Sequence, residues 1–370
     1  MKIDYSMDER IIMTLDAGGT NFVFTAIQAS KQIIEQITYP AHGEDLTLSL
    51  ETILKGFEQV QNSLPQKASA ISFAFPGPAD YPAGIIGDLG NLPAYRGGVA
   101  LGPMLEEKFG IPVFINNDGD LFTLGEAAAG FLPFLNMKLT EAGSNKKCNN
   151  LFGMTIGTGF GGGIVRNGEL YIGDNSSAGE VWLLRNYIYP ESFAEESVSI
   201  RAVAREYRKA AAIGDDLLLS PKDIFEIAMG EKEGNKLAAI KAYEILGTSI
   251  GEAMANIITL LDAQVVIGGG IAGAADLFLP KVIETINSTI KTINGDELPR
   301  LDLRAYNLEN KNDLDEFCKS TPSEINVPFS DKKVLFESEK RIGVGISKLG
   351  TAEAVALGAY TFGLNQLEKK

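Results

Sequence analysis

Four loops of this sequence set glycine beside side chains that could do chemistry: Asp16-Ala-Gly-Gly-Thr20, Pro76-Gly-Pro78, Gly157-Thr-Gly-Phe-Gly-Gly-Gly163 and Gly268-Gly-Gly-Ile-Ala-Gly273. Glycine lets backbone N–H groups come close to a ligand and tolerates positive φ, so loops of this kind suit phosphate oxygens. Asp16 opens the first loop, and a second carboxylate, Asp118, follows the apolar run PVFINN. Phosphoryl transfer asks for little more than this: donors around the phosphates, a cation to screen charge, and a carboxylate near the accepting hydroxyl. Two readings of Asp118 stand side by side, a base at the carboxyl edge of a sheet and the N-cap of the helix that begins there. Asp120, two residues on, is the local competitor for the first role.

Other chemistries drop out on residue counts. The 370 residues hold one histidine, His42, and two cysteines, Cys148 and Cys318. A poly-histidine metal site, a Cys-x-x-Cys motif and a disulfide framework are excluded, and a Ser-His-Asp triad could be built in only one way. His42, in PAHGED, reads as a solvent-facing loop residue, and both cysteines fall in polar stretches without partners. With 33 Lys and Arg against 48 Asp and Glu, the net charge is −15, a poor match for nucleic-acid phosphates or an anionic membrane. The glycine-rich apolar tract from Val265 to Ala275 is too short to cross a bilayer, and MKIDYSMDER lacks the apolar centre of a signal peptide. The expectation is a cytoplasmic protein with neither nucleic-acid nor membrane partners.

The elements that must position these residues follow from the flanks of the loops. IIMTL, ISFAF, LFGMTI and AQVVI, one before each loop, read as buried strands. NFVFTAIQA after Thr20 predicts a β-hairpin, and IVRNGELYI after Gly163 predicts another, turning at Asn167-Gly168. Only the last loop runs into a helical pattern, AADLFLPKVIETINSTI. Gly157 to Gly162 formally fits G-x-G-x-x-G, but that fingerprint needs a helix to begin at the loop, so the hairpin argues against a dinucleotide fold. No P-loop motif is present. Helices are expected from Asp118 to Gly130, from Ser220-Pro221-Lys-Asp223 onward, from about Gly234 to Leu261, and from Thr351 to Leu367. Residues 136–150 and 301–339 are polar and weakly periodic and read as surface insertions. At ~150 residues per domain the length suits two domains.

Taken in order, Asp16-Ala-Gly-Gly-Thr20, Asn91-Leu-Pro93, Asn117-Asp118 with Gly125-Glu126, TIGTGFGGGIVRNGELYIG with its downstream Ala-Gly-Glu180, Val266-Ile-Gly-Gly-Gly270 and Ala356-Leu-Gly-Ala359 resemble the ROK family of bacterial sugar kinases and repressors. The resemblance runs from about Ile11 to Gly363. It implies an α/β, two-lobed ribonuclease H-like, actin-like ATPase fold with ATP and sugar in a cleft. An N-terminal lobe of residues 1–122 would be completed by a C-terminal helix, 352–370, and residues 123–351 would form the other lobe with both insertions. It implies an ATP-dependent hexose kinase with glucose as the first substrate. N-acetylmannosamine, N-acetylglucosamine and fructose are the alternative sugars, and a non-catalytic sugar-binding or regulatory protein is the alternative of another class. A repressor is disfavoured by the net charge and by the first core strand starting near Ile11.

Residue by residue, the resemblance implies Asp118 as the catalytic base and Asp16 as the residue that orients Mg²⁺, through water. Gly18, Gly19, Thr20 and Asn21, with Gly157, Thr158, Gly159 and Gly161, would hold the ATP phosphates, and Gly269 and Gly270 would also face the nucleotide. Gly77, Asn91, Asn117, Glu180 and Glu191 would bind the sugar, with Glu195 and Glu196 as alternatives to Glu191. The pattern departs from the family after Glu180: Glu-x-Gly-His becomes Glu180-Val-Trp-Leu183, and RNYIYPESFAEES replaces the usual cysteine-rich zinc segment. The expectation is no zinc, with Trp182, Leu183 and Leu184 packing where a metal would have braced the loop, or with Trp182 stacked on the sugar. Monomer and homodimer both stay open.

Overall fold

The computed structural model describes residues 5–90, 92–214, 219–320 and 322–369. They fall into two compact units. One comprises the chain up to Gly130, Gly162–Gly179 and the stretch from Leu349 on; the other comprises Phe131–Gly161 and Glu180–Lys348.

In the first unit the strands lie in the order Lys31–Gln32, Asn21–Gln28, Ile12–Ala17, Ala70–Ala74, Val113–Asn116, with Ile37–Pro40 also paired to Asn21–Gln28. Ile12–Ala17 runs antiparallel to Asn21–Gln28 and parallel to Ala70–Ala74, which is parallel to Val113–Asn116. Side chains alternate faces along a strand, and here the alternation sorts core from chemistry. Met13, Leu15, Ala17, Phe22 and Phe24 enter a buried core with Ile53, Phe57, Phe73, Phe75 and Tyr95. Its rings meet edge to face, Phe24 and Phe57 at 5.2 Å and 83°, a geometry the ring quadrupoles favour. Ile12 has the opposite parity and packs with Leu357, Tyr360 and Leu364 of the C-terminal helix Thr351–Glu368. Thr14 and Asp16 share that parity.

The helix Asp118–Ala128 crosses this C-terminal helix at backbone distance. A Cβ added at Gly125 would lie 1.9 Å from the Ala354 carbonyl oxygen, and one at Gly358 would lie 1.8 Å from that of Leu121. The two glycines are the notches through which the helices seat.

The second sheet has the order Glu169–Leu170, Phe160–Arg166, Leu151–Ile156, Gln264–Gly268, Arg341–Ile346, Arg304–Asn307. Its central pairings, Leu151–Ile156 with Gln264–Gly268 and Gln264–Gly268 with Arg341–Ile346, are parallel. The turn after Arg166 is the expected hairpin: Val165 pairs with Leu170, and Asn167 and Gly168 have φ of 52° and 83°. With no helix at the loop, the dinucleotide reading fails. The helix Pro221–Met229 opens with a complete capping box between Ser220 and Asp223, as the sequence signals.

Two expectations need correction. Residues 136–150 are not all exposed loop: a helix, Phe131–Glu141, buries Phe131, Leu132, Leu135 and Leu139. The i, i+4 spacing of Phe131, Leu135 and Leu139 is obscured by Pro133 and by the apolar Leu132 and Phe134 around it, which leave no polar face to reveal a helical period. Within 301–339, Arg304–Asn307 joins the sheet parallel to Arg341–Ile346, and a helix, Lys311–Cys318, follows it. That strand buries only Ala305 and Tyr306 fully, too few apolar residues to announce it. Arg341 is buried and its Nη1 donates to the carbonyls of Glu316 and Phe317 at 3.2 and 3.0 Å, closing the end of that helix. Cys148 and Cys318 are free and buried. Among the described residues no helix is long and apolar enough to cross a membrane.

In an open helix Gly→Ala gains about 1 kcal/mol. At Gly358 the sign should reverse, because the added methyl overlaps a backbone oxygen and overpacking costs ~1–3 kcal/mol or more. Thermal unfolding of Gly358→Ala is expected to show a lower Tm than wild type; a higher one would contradict the close crossing.

Candidate functional site

Asp16 and Asp118 sit at the carboxyl edge of the first sheet, near the ends of parallel strands. Asp16 precedes a hairpin closed by the N–H of Gly18, which donates to the Asn21 carbonyl at 3.1 Å. That N–H is engaged by the turn itself. Gly19 and Thr20 form the exposed tip.

Asp118 is the first residue of its helix, and the cap is Asn117, whose Oδ1 accepts from the Gly119 N–H at 2.8 Å. The N-cap reading of Asp118 is thus overturned, although its own Oδ1 also accepts from Gly119 N–H at 2.9 Å. Gly119 is needed for this packing, since a Cβ there would stand 3.0 Å from the Gly162 carbonyl oxygen. Asp120 is buried, at 4 % exposure, and offers no accessible alternative base. Glu126 is fully buried, and its Oε1 accepts from the Leu349 N–H at 3.1 Å, anchoring the chain where it enters the C-terminal helix.

Both candidate carboxylates are exposed, and each still loses part of its solvation to neighbouring groups. Asp16 is pushed above the ordinary carboxylate range by loss of solvation and then by the negative charge of Asp118. Asp118 is raised by loss of solvation against the opposing effect of backbone N–H donors, Gly119 first. A groove of about 600 Å³ starts at Asp16 and passes Thr14, Thr25, Lys31 and Glu353.

Gly77 and Asn117, both expected at the sugar, converge on one residue that sequence reasoning missed. The Tyr81 hydroxyl donates to the Phe75 carbonyl at 3.1 Å and accepts from Asn117 Nδ2 at 3.4 Å, and a Cβ at Gly77 would lie 3.0 Å from it. Only a lone aromatic in PADYPAG marked Tyr81 beforehand. Asn91 lies outside the described residues.

In the second unit the loop after Leu151–Ile156 is held from both ends. The Gly157 N–H donates to the Gly159 carbonyl at 2.9 Å, and the Gly157 carbonyl accepts from Ile200 N–H at 2.9 Å. The N–H of Gly157, like that of Gly18, is engaged by its own turn. Phe160 N–H donates to Glu195 Oε2 at 3.0 Å, and Glu195 Oε1 pairs with Arg201 at 3.1 Å. Thr158 is exposed, and Gly161 is required because a Cβ would meet Thr155 Oγ1 at 2.5 Å. Gly269, at φ 90°, stacks on this strand: its Cβ would lie 2.3 Å from the Ile156 carbonyl oxygen. A Cβ at Gly270 would make only an ordinary contact, 3.9 Å from Ile200 Cδ1. The structure thus brings the two glycine loops of this unit together.

Glu180 and Glu191 are exposed. Glu180 Oε2 accepts from Trp182 Nε1, and the Trp182 ring meets Phe193 edge-on at 5.7 Å. Leu183 is 58 % exposed, so the expectation that it packs in place of a metal is corrected. Among the described residues no cluster of three or more His, Cys, Asp or Glu could hold a metal ion.

Glycine hairpins at the strand ends, a carboxylate pair and the two α/β units define a class, the actin-like ATPase fold of phosphotransferases. The ROK family profile matches residues 12–313, and the chain belongs to the ROK family. It is 50% identical to a glucokinase from Parabacteroides distasonis of known crystal structure, with 98% of this chain and 99% of that one covered and a TM-score of 0.89. It is 26% identical over 305 residues to a glucokinase of Halalkalibacterium halodurans, covering 75% of this chain and 85% of that protein. It is also 28% identical over 267 residues to an N-acetyl-D-glucosamine kinase of Vibrio cholerae, covering 69% and 82%.

The raised pKa of Asp118 has a stability consequence. Its folded value lies above the unfolded value of ~3.9, so the native state holds the proton more tightly, and ionisation costs stability as pH rises through that window. Above the folded pKa the cost is constant. Asp118→Asn cannot ionise and keeps the Asn117 cap. Urea unfolding across a pH series should therefore find the variant as stable as wild type at about pH 4 and more stable at neutral pH. A wild type that is the more stable protein at neutral pH would contradict the unfavourable charge.

Proposed function

We propose that this ROK protein is an ATP-dependent hexose kinase acting on glucose. The observation that carries the reading is the carboxylate pair: Asp118, which leaves the N-cap position to Asn117, beside Asp16 on the carboxyl edge of one sheet. Asp118 accepts the proton of the sugar hydroxyl as its oxygen attacks the γ-phosphorus, and the bond from that phosphorus to the β-phosphate oxygen breaks to release ADP. A raised pKa suits a base that must take a proton near neutrality. Asp16 would hold Mg²⁺, through water; its hard oxygen donors fit that ion, and a cation relieves the repulsion between the two carboxylates. When bound, the metal screens charge on the β- and γ-phosphates.

Gly19, Thr20 and Asn21 on one hairpin, and Thr158, Gly159 and Gly161 on the other, cradle the phosphates, with Gly269 and Gly270 completing the nucleotide side. Gly77, Asn91, Asn117 and Glu180 bind the sugar. Glu191 joins them as the second sugar glutamate, with Glu195 and Glu196 as its alternatives. Glucose is preferred because the relative at 50% identity is a glucokinase. N-acetylglucosamine is the second reading, favoured by the Vibrio cholerae relative. The enzyme works without zinc, and its net charge of −15 suits a cytoplasmic protein without a nucleic-acid partner.

Two measurements test this reading. Millimolar ATP with Mg²⁺ should raise the Tm through binding to the native state, and a coupled ADP-release assay over a hexose panel should give its highest kcat/KM with glucose. Asp118→Asn should lower kcat by about 10²–10⁴-fold with little change in sugar KM. Retention of more than about a tenth of wild-type turnover would remove Asp118 as the base.

A further inference from the structure

The segment Leu184 to Ser197 stands where the family carries its metal loop, and the structure contains a different brace. Asn186 is 2 % exposed. Its Nδ2 donates to the Phe193 carbonyl at 3.0 Å and to Ser197 Oγ at 2.8 Å, while its Oδ1 accepts from the N–H groups of Ile188 and Tyr189 at 2.9 and 3.0 Å. An amide has two donors and an acceptor oxygen with two lone pairs, so nearly its whole capacity closes this one loop. A buried amide is tolerated only when it is bonded in this way. Backbone bonds finish the closure: Asn186 N–H to the Ser192 carbonyl at 3.1 Å and Ala194 N–H to the Leu184 carbonyl at 2.7 Å.

What the closed loop presents is Phe193. Trp182 lies edge-on against that ring at 89°, and its indole N–H donates to Glu180. A physical chain therefore runs from Asn186 through Phe193 and Trp182 to the exposed Glu180 carboxylate. We infer that Asn186 is a positioning residue that does by hydrogen bonding what a metal does in the family's loop, and that Trp182 transmits this order to Glu180 for sugar recognition. The inference rests on the reading of Glu180 as a sugar ligand.

Trp182 is the only tryptophan of the chain, so intrinsic fluorescence reports on this chain of contacts alone. Glucose titrated into the full-length protein, without nucleotide, is expected to change the tryptophan emission saturably. Asn186→Ala should raise the glucose Kd read this way, and the glucose KM, about tenfold, as expected for loss of buried hydrogen bonds, with the ATP KM within twofold. Trp182→Phe keeps a ring against Phe193 but removes the N–H donor; it should raise the glucose KM at least threefold with the same ATP KM, and it decides the matter if Asn186→Ala fails to fold. Treatment of wild type with a chelator should leave the glucose Kd unchanged. Glu180→Gln separates the two ideas. If it leaves the glucose KM unaltered, the sugar role of Glu180 falls and the inference with it. If it weakens glucose while Trp182→Phe stays within twofold of wild type, the positioning chain alone is overturned. Loss of glucose affinity on chelation, restored by zinc, would also overturn it.

Discussion

Everything at the first sheet's carboxyl edge depends on one steric constraint, the backbone-to-backbone crossing of the helices Asp118–Ala128 and Thr351–Glu368. Gly125 and Gly358 permit it, and no other residue could, because a methyl at either position would overlap a carbonyl oxygen. The crossing fixes the axis of the first helix, and Gly119 lets its first turn settle on Gly162. Asp118 thereby stands at a defined point of the edge, with Asn117 taking the cap. Glycine in mid-helix costs about 1 kcal/mol of propensity; close packing is what makes that cost bearable.

The same edge then collects negative charge. Strand parity directs Asp16 away from the aromatic core and toward the face shared with the C-terminal helix, where its pKa responds to Asp118. Asp16 is raised by lost solvation and by the charge of Asp118, and Asp118 by lost solvation alone, and carboxylates shifted in this way are a mark of sites that take cations. The glycine loops add donors, but fewer than their glycine count suggests: the N–H groups of Gly18 and Gly157 already close their own turns. Those turns are closed by some of their own donors, and Gly19, Thr20 and Thr158 at the tips stay exposed.

Much of this was legible in the sequence for physical reasons. Four apolar runs ending in glycine gave four strands because buried parallel strands read as continuous hydrophobic stretches; Asn167-Gly168 announced its hairpin, and Ser220-Pro221 its cap. What stayed hidden depended on partners distant in sequence or on single dihedral angles. Asn117 and Asp118 are both good caps, and only the backbone decides between them. Glu195 bonds to Phe160 N–H across 35 positions, and Tyr81 gathers Gly77 and Asn117 through a hydroxyl that no local pattern reveals. The strand Arg304–Asn307 buries only two residues fully, and the helix Phe131–Glu141 carries Pro133 in a continuous apolar run, so neither shows a clear period. At the Glu180 loop the departure from the family pattern was visible, yet the residue that closes the loop, Asn186, carried no signal of its own.

The account centres on Asp118 as a carboxylate that must be ionised to accept the sugar proton and whose pKa is held high by its surroundings. The pH profile of kcat/KM for glucose phosphorylation, taken at saturating MgATP, tests this most directly. The account predicts a loss of rate on the acid side with an apparent pKa clearly above the ~3.9 of an ordinary aspartate. A rate that stays flat down to about pH 4 would contradict it.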